Sequence, residues 1–166
     1  MPTPPKSSSR LPEASGKPPE ERAFELALRA LNRRERTSAQ IRDWLEHRGF
    51  EPEVTIAVVE RLEDAGGLDD ARFARLYAED RRELDGWGEE RIRSALAQRG
   101  VPAELIDDAL VCESSDAERA LAQLVEHGKP VDDDAARGRA LAFLVRRGYS
   151  SDVAYEAVRA AEKLAA

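Results

Sequence analysis

The sequence predicts an all-α protein built from three tandem three-helix repeats that form an elongated, curved array. Apolar residues recur every three or four positions from Ala23 onward, which is the period of an amphipathic helix. Two capping boxes, Thr37 with Gln40 and Ser115 with Glu118, mark helix starts. A pattern that ends in Arg-Gly occurs three times at nearly constant spacing, which indicates an internal repeat.

Length and charge set the general class of the protein. The chain has 166 residues, about the size of one ordinary domain, and its 42% hydrophobic content is near the globular average, so a core can form. The net charge of −7 argues against strong independent binding to DNA. No run of 18 apolar residues and no signal-peptide pattern occurs, so we predict a cytoplasmic protein that does not enter a membrane. We expect it to be a monomer.

Residues 1–21 differ from the rest of the chain. They contain six of the nine prolines and three consecutive serines. Such a segment cannot bury enough apolar area to offset the entropy lost on ordering. We therefore predict that it is a disordered tail.

Each predicted module begins with an amphipathic helix, expected over residues 23–34, 70–83 and 116–127. The second helix of each module ends in a shared pattern: an apolar residue, three spacers, Leu, two further residues, Arg-Gly and a large apolar residue. Its copies are IRDWLEHRGF at 41–50, IRSALAQRGV at 92–101 and ALAFLVRRGY at 140–149. The third helix follows each glycine, with apolar residues five, nine and ten positions further on. These are Val54, Val58 and Val59; Leu105, Ala109 and Leu110; and Val153, Ala157 and Val158.

The repeated glycines Gly49, Gly100 and Gly148 mark the turns between the second and third helices. An Arg in the last helical turn suits the negative end of the helix, and the Gly beyond it can adopt the left-handed C′ conformation. The large apolar residue that follows can then fold back onto the preceding turn. We place the three modules at residues 22–67, 68–113 and 114–166, in the manner of a small α-solenoid.

The sequence shows no catalytic, cofactor-binding or metal-binding motif. His47 and His127 lie in charge-rich segments without a Ser or Cys motif beside them. There is no HExxH, no paired CxxC and no Gly-rich phosphate loop. We interpret the one cysteine, Cys112, as a small buried residue at a helix end. We therefore predict a protein that is not an enzyme and that uses no cofactor or metal.

The second module carries the most distinctive stretch, LDDARFARLYAEDRR at residues 68–82. Asp69 or Asp70 would cap the helix that follows and would complement its positive end. Phe73, Ala74 and Tyr77 form an apolar stripe at helical spacing, which is more typical of a core than of a ligand site.

This stretch resembles the signature of the RecX family, regulators of the RecA recombinase. The similarity continues through Gly86, Gly88, Arg91-Ile92, Leu96 and Gly100, and it includes ALRAL at 27–31 and FLVRRGYS at 143–150. It covers residues 23 to about 160. The resemblance implies a non-enzymatic protein with the same tandem three-helix fold that binds RecA, chiefly its filament on single-stranded DNA, along the filament groove. It also implies inhibition of RecA's ATPase, strand-exchange and coprotease activities, within DNA repair, recombination and the SOS response.

Arginines that cluster near the interhelix turns are our candidates for partner contacts, because guanidinium groups bind carboxylates and phosphates through paired hydrogen bonds. Trp87, in a flexible turn at 85–88, is either packed on a neighbouring module or exposed as a contact anchor. The arginine candidates are Arg33, Arg34, Arg36, Arg81, Arg82, Arg91, Arg93, Arg146 and Arg147. The alternative is that these residues are ordinary helix-end charges.

Two other classes of function fit the pattern. Three-helix modules with a tight Gly turn can resemble helix-turn-helix units, which would make this a DNA-binding protein. The chain could also be a general helical scaffold for an unrelated protein. With RecA as partner, DNA contact is expected to be weak or indirect.

Overall fold

The computed structural model describes residues 16–128 and 131–165. Over these residues the chain is all-α, as predicted, with no strand. The helices are α1 (Pro19–Leu31), α2 (Ser38–Glu46), α3 (Pro52–Asp64), α4 (Asp70–Asp85), α5 (Glu89–Ala97), α6 (Ala103–Leu110), α7 (Asp116–Glu126), α8 (Asp134–Arg146) and α9 (Ser151–Ala165).

Helix α1 begins inside the segment that we predicted to be a tail. The first 15 residues of that segment lie outside the described residues, but Pro19, Glu20 and Glu21 form the first turn of α1. Proline suits the first helical position because its missing N–H would have no partner there, and acidic residues favour the positive end of a helix. The helix also ends at Leu31, so Arg33 and Arg34 belong to the turn after it.

The chain divides into two compact units, residues 1–69 and 70–166. The first unit holds α1 to α3, and the second holds α4 to α6 followed by α7 to α9. Within each group of three, the first helix packs against the third: α1 on α3, α4 on α6 and α7 on α9. The repeated sequence pattern therefore corresponds to a repeated packing arrangement.

Each group of three helices has its own apolar core. In the first group Ile41, Leu45 and Val58 are fully buried. Ile92 and Leu96 occupy the equivalent place in the second group, and Leu144 and Val158 in the third. A core of this size stabilises a 40-residue module only marginally, so the surface shared by the second and third modules contributes to stability.

The three Arg-Gly turns have the geometry that the sequence predicts. The φ angles of Gly49, Gly100 and Gly148 are 83°, 75° and 87°, in the left-handed region that glycine tolerates best. After each glycine, the N–H of the next residue donates to a carbonyl five residues earlier, which is the hydrogen bond of a Schellman motif. That next residue is Phe50, Val101 or Tyr149, and each is buried.

Both predicted capping boxes are confirmed. The Thr37 hydroxyl accepts from the Gln40 N–H at 3.2 Å, while the Gln40 side chain accepts from the Thr37 N–H at 3.3 Å. The Ser115 box closes in the same way with Glu118, over 3.2 and 2.8 Å. These contacts explain why α2 and α7 begin where they do.

The interpretation of Cys112 is wrong. Helix α6 ends at Leu110, and Val111 is extended, so the chain leaves the core one residue before Cys112. Val111 is 80% exposed, and Cys112 is exposed as well. Its Sγ lies 2.6 Å from a guanidinium nitrogen of Arg119.

Candidate functional site

The predicted contact arginines of the first unit lie in the turn between α1 and α2. The side chains of Arg33 and Arg34 are exposed, and Arg36 is half-buried. None of the three forms an ion pair with a described carboxylate, including Glu35 in the same turn. These arginines are therefore available to an external anion.

Trp44 holds Arg36 near a fourth arginine that the sequence reasoning did not select. The guanidinium carbon of Arg48 lies 3.6 Å from the centroid of the Trp44 ring, and that of Arg36 lies 5.6 Å from it. Cation–π attraction of this kind fixes a guanidinium without neutralising it. The signal for Arg48 was present in the sequence, because it is the arginine of the first Arg-Gly turn.

In the second unit, the candidate arginines on α4 have partners within the protein. Arg82 donates to the Leu110 carbonyl oxygen at 2.7 Å and to that of Ala109 at 3.4 Å, and so caps the end of α6. Arg81 pairs with Asp85 one turn further along α4. That bond, together with the negative charge of Asp85, raises the pKa of Arg81.

Trp87 packs on its own module, whereas the sequence predicted packing on a neighbouring module or exposure as a contact anchor. Its ring is half-buried against the core of the second group of helices. The guanidinium carbons of Arg91 and Arg81 lie 4.1 and 5.4 Å from the ring centroid. A ring packed in this way stabilises the end of α4.

The turn around Trp87 is fixed in place, contrary to the flexible turn that we predicted. The Gly88 N–H donates to the Arg147 carbonyl oxygen at 2.9 Å, and the Glu90 N–H donates to the Gly148 carbonyl oxygen at 3.1 Å. A Cβ atom on Gly88 would lie 2.5 Å from the Gly148 carbonyl oxygen. Glycine is therefore required here by a close approach of two backbones.

The arginines of the last two modules are brought together at this contact. Arg91 donates to the Arg146 carbonyl oxygen at 3.1 Å. The side chain of Arg147 turns back to its own module, where it donates to the Gln123 side chain at 3.2 Å and lies 3.2 Å from His127 Nε2.

Arg93 pairs with Asp107 at 2.6 Å on the surface. Of the candidates in this unit, Arg146 alone has a side chain without a polar partner among the described residues.

The motif residues of α4 have structural roles. Ala74 is fully buried, and Phe73 stacks on Tyr77 with ring centroids 6.0 Å apart against the same core. Helix α4 begins at Asp70, so Asp69 immediately precedes it, as expected of a capping residue. The prediction that the Phe73, Ala74 and Tyr77 stripe belongs to a core is confirmed.

No pattern in the sequence singled out Arg119, a charged residue with several internal partners. Its side chain, only 16% exposed, pairs with Glu89 at 3.1 Å and with Asp116 at 3.0 Å, and it also donates to the Ser114 carbonyl oxygen. Although burial opposes the charge, the neighbouring negative charges and the bond to Asp116 raise the pKa of Arg119. Because Glu89 lies on α5 and Arg119 on α7, this guanidinium joins the last two modules.

Two further properties concern the described part of the chain. Its His, Cys, Asp and Glu side chains nowhere gather into a group that would hold a metal ion. In residues 16–128 and 131–165, no helix has the length and apolar character needed to cross a membrane.

Family models of two adjacent domains match the chain. Residues 23–62 match the first three-helix domain of RecX, and residues 69–110 match the second. The regulatory protein RecX of Mycobacterium ulcerans is 39% identical over 153 residues, which covers 89% of this chain and 88% of the relative. The chain belongs to the RecX family.

Other RecX proteins extend this result. The regulatory protein RecX of Mycolicibacterium vanbaalenii is 36% identical over 151 residues and is covered over 82% of its length, with 84% of this chain. The crystal structure of RecX from Lactobacillus salivarius has a TM-score of 0.77, covering 87% of this chain and 97% of that one, at 16% identity. Another crystal structure of a regulatory protein RecX has a TM-score of 0.71 at 24% identity, with coverages of 86% and 72%. The all-α RecX fold of tandem three-helix domains is thus shared despite low sequence identity.

Proposed function

We propose that this RecX protein binds the RecA recombinase, chiefly its filament on single-stranded DNA, and inhibits its ATPase, strand-exchange and coprotease activities. The observation that carries the proposal is the family match over both domains, together with relatives that are named regulatory proteins. The protein would act in the cytoplasm as a regulator without catalysis, within DNA repair, recombination and the SOS response.

The modular construction supports a binding role. We propose module boundaries of 22–67, 68–113 and 114–166, so that three units of similar size follow one another along the chain. A filament is itself a repeat of identical protomers, and a protein with repeated modules can contact successive protomers. Binding in the filament groove would exclude other DNA or a substrate repressor from it.

Of the arginine candidates, we propose that those without internal partners make the contact with RecA. These are Arg33, Arg34 and Arg36 in the first unit and Arg146 in the second. Arg81, Arg82, Arg91, Arg93 and Arg147 bind neighbouring groups within the protein, and we propose that they act by holding the second unit together. A guanidinium that is already satisfied gains less from a new partner.

The deciding experiment measures ATP hydrolysis by the cognate RecA on single-stranded DNA during titration with this protein. We expect inhibition at well below one regulator per RecA protomer, because one bound molecule affects several protomers of a filament. No change in rate, with no binding to the preformed filament, would contradict the proposal and leave a helical scaffold with another partner. Retention on duplex DNA alone, sensitive to salt, would indicate a DNA-binding protein instead.

A matched pair of variants separates contact from folding. The double variant Arg33→Gln and Arg34→Gln removes exposed, unpaired charges and should weaken inhibition at least fivefold. Arg42→Gln is the control, because Arg42 is exposed on α2 and has no polar side-chain partner among the described residues. Equal inhibition by both proteins would show that the turn between α1 and α2 does not contact RecA.

A further inference from the structure

Arg36, in the first unit, has no counter-ion among the described residues. The Nε atom of Arg36 is buried and has no hydrogen-bond partner. The Nε atoms of Arg81, Arg82 and Arg119 are in the same state, but their other guanidinium nitrogens bind neighbouring acceptors. The side chain of Arg36 makes no hydrogen bond to any described residue. Burial of this Nε–H group without an acceptor costs free energy, which an added acceptor would recover.

The charges around Arg36 increase that cost. The charges of Arg34 and Arg48, both cationic, act on its guanidinium. Burial, followed by the repulsion from these two charges, lowers the pKa of Arg36. The protein has many carboxylates, yet among the described residues none, including Glu35 in the same turn, forms an ion pair with Arg36. The local positive field would be relieved by an anion from outside the chain.

Trp44 makes this group of cations rigid. The Arg48 guanidinium stacks over the ring at 3.6 Å and donates to the Trp44 carbonyl oxygen at 3.3 Å, while Arg36 lies 5.6 Å from the same ring. Most donors of the two planar groups remain unused. A pair of guanidiniums fixed by an aromatic ring loses little side-chain entropy on binding, so it is preorganised for an oxygen-bearing anion. We call Arg34, Arg36, Trp44 and Arg48 the Trp44 cluster.

Charge and size decide which anion fits best. A nucleic-acid backbone offers a long row of phosphates, and proteins that bind it strongly neutralise many of them with a basic surface. The Trp44 cluster supplies three guanidiniums on an acidic chain, which suits a local group of two or three carboxylates. The faces of Trp44 are in part covered by arginines, so the ring is poorly placed to stack on a base.

We propose that the Trp44 cluster is a receptor for an acidic peptide segment, with Arg36 and Arg48 each taking a carboxylate. This inference rests on the proposed function, since the segment would belong to the surface of the regulated recombinase. Arg34 would add to the positive field at the edge of the Trp44 cluster. The contact would be charge-assisted and sensitive to salt, because the arginines are partly exposed to solvent.

The test uses the full chain and two fluorescent probes, a labelled octaglutamate peptide and a labelled oligothymidylate of 12 nucleotides, in anisotropy titrations at low and moderate salt. We expect the peptide to bind saturably and more tightly than the oligonucleotide. Arg36→Gln should weaken peptide binding at least tenfold, and Arg36→Lys by an intermediate factor because an ammonium cannot form the paired hydrogen bonds. Arg42→Gln, the same charge change at an exposed position of α2, should alter it less than twofold.

Three results would overturn the proposal: no saturable binding of the peptide, equal loss in Arg36→Gln and Arg42→Gln, or an oligonucleotide that binds more tightly than the peptide through Arg36. Circular dichroism of each variant checks that the helices are retained. The RecA ATPase titration distinguishes the two proposals. Inhibition by the wild type with no peptide binding would refute only the receptor, whereas Arg36-dependent peptide binding without inhibition would refute only the regulation of RecA.

Discussion

The arginine-rich turn of the first unit and the arginines of the second unit look alike in the sequence but differ in their surroundings. In the first unit Arg33, Arg34 and Arg36 form no ion pair with a carboxylate of the described residues. In the second unit, Arg82 binds two carbonyl oxygens of α6, and Arg91 binds a carbonyl oxygen of the third module. The difference shows that arginines with similar positions in the sequence can have different numbers of internal acceptors in the fold.

Glycines of the two units also differ in how closely other residues approach them. Gly66 in the first unit has a φ of 70°, and a Cβ atom there would meet nothing within 4 Å. Gly148 in the second unit has a φ of 87°, but a Cβ atom would lie 2.7 Å from the Arg91 backbone nitrogen and still closer to the Arg91 Cβ. The first glycine is required by its backbone conformation alone, and the second also by the contact between modules.

Gly148→Ala should have the largest effect on the free energy of unfolding. A left-handed alanine costs about 1 kcal/mol and the overlap with Arg91 costs about 2 kcal/mol more, so the free energy of unfolding should fall by about 3 kcal/mol. Gly66→Ala, which meets the conformational cost alone, should lose about 1 kcal/mol. Urea denaturation followed by circular dichroism measures both. Equal losses would show that the packing of Gly148 on Arg91 contributes nothing.

The next effect is that of Arg119→Met, which tests how strongly an internal guanidinium joins the last two modules. The change leaves Glu89, Asp116 and a backbone carbonyl without their donor, so the stability should fall by about 2 kcal/mol. Arg93→Met removes a pair with Asp107 that is largely exposed to water, and it should cost less than about 1 kcal/mol. A ranking in the opposite order in urea denaturation would contradict this view of the interface.

The stability of the two units should depend differently on alkaline pH, because one of two equivalent positions holds a tyrosine. The residue after the Arg-Gly turn is Phe50 in the first unit and Tyr149 at the end of the second, and both are buried. Burial, with a smaller effect of Asp116, raises the pKa of Tyr149 to about 12 from its ordinary value of 10. The folded state favours the neutral phenol. The contribution of Tyr149 to the free energy of unfolding is therefore complete below pH 10 and is lost as the pH rises through 12.

The measurement is urea denaturation of the wild type and of Tyr149→Phe at pH 8 and pH 11. From pH 8 to pH 11 the free energy of unfolding of the wild type should fall by about 1.4 kcal/mol more than that of the variant. At pH 11 the Tyr149 phenol is neutral in the folded wild type and ionises when unfolding exposes it, whereas the variant has no phenol here. Parallel changes in the two proteins would show that Tyr149 ionises as easily in the folded chain as in the unfolded one.

The smallest effect on stability is expected from the arginines that define the comparison. Arg33→Gln with Arg34→Gln removes no internal bond, so the free energy of unfolding should change by less than about 0.5 kcal/mol. Arg82→Gln removes the bonds to the end of α6 and should cost about 1 kcal/mol. If the first-unit variant were the less stable of the two, its arginines would have partners that the structure does not show, and the contrast between the units would fail.

The local structure could be predicted from the sequence because it depends on neighbouring residues. Helical periodicity, two capping boxes and three Arg-Gly turns involve groups within about five positions of one another, and all of them have the expected geometry. The predicted start of α1 was less accurate, since the ends of helices are set by small differences in free energy.

The roles of single side chains required the tertiary structure. Trp87 and Cys112 were misplaced because their exposure depends on where α4 and α6 end and on which module packs beside them. Arg119 could not be recognised, since its partner Glu89 is 30 positions away.

The helical class, the threefold repeat and the family follow from the amino-acid sequence, because periodicity, capping and the motif at residues 68–82 are local patterns. Which arginines have partners among the described residues depends on the three-dimensional fold. The physical reason is that a guanidinium is satisfied by acceptors distant in the chain, and the fold alone brings those acceptors within hydrogen-bonding distance.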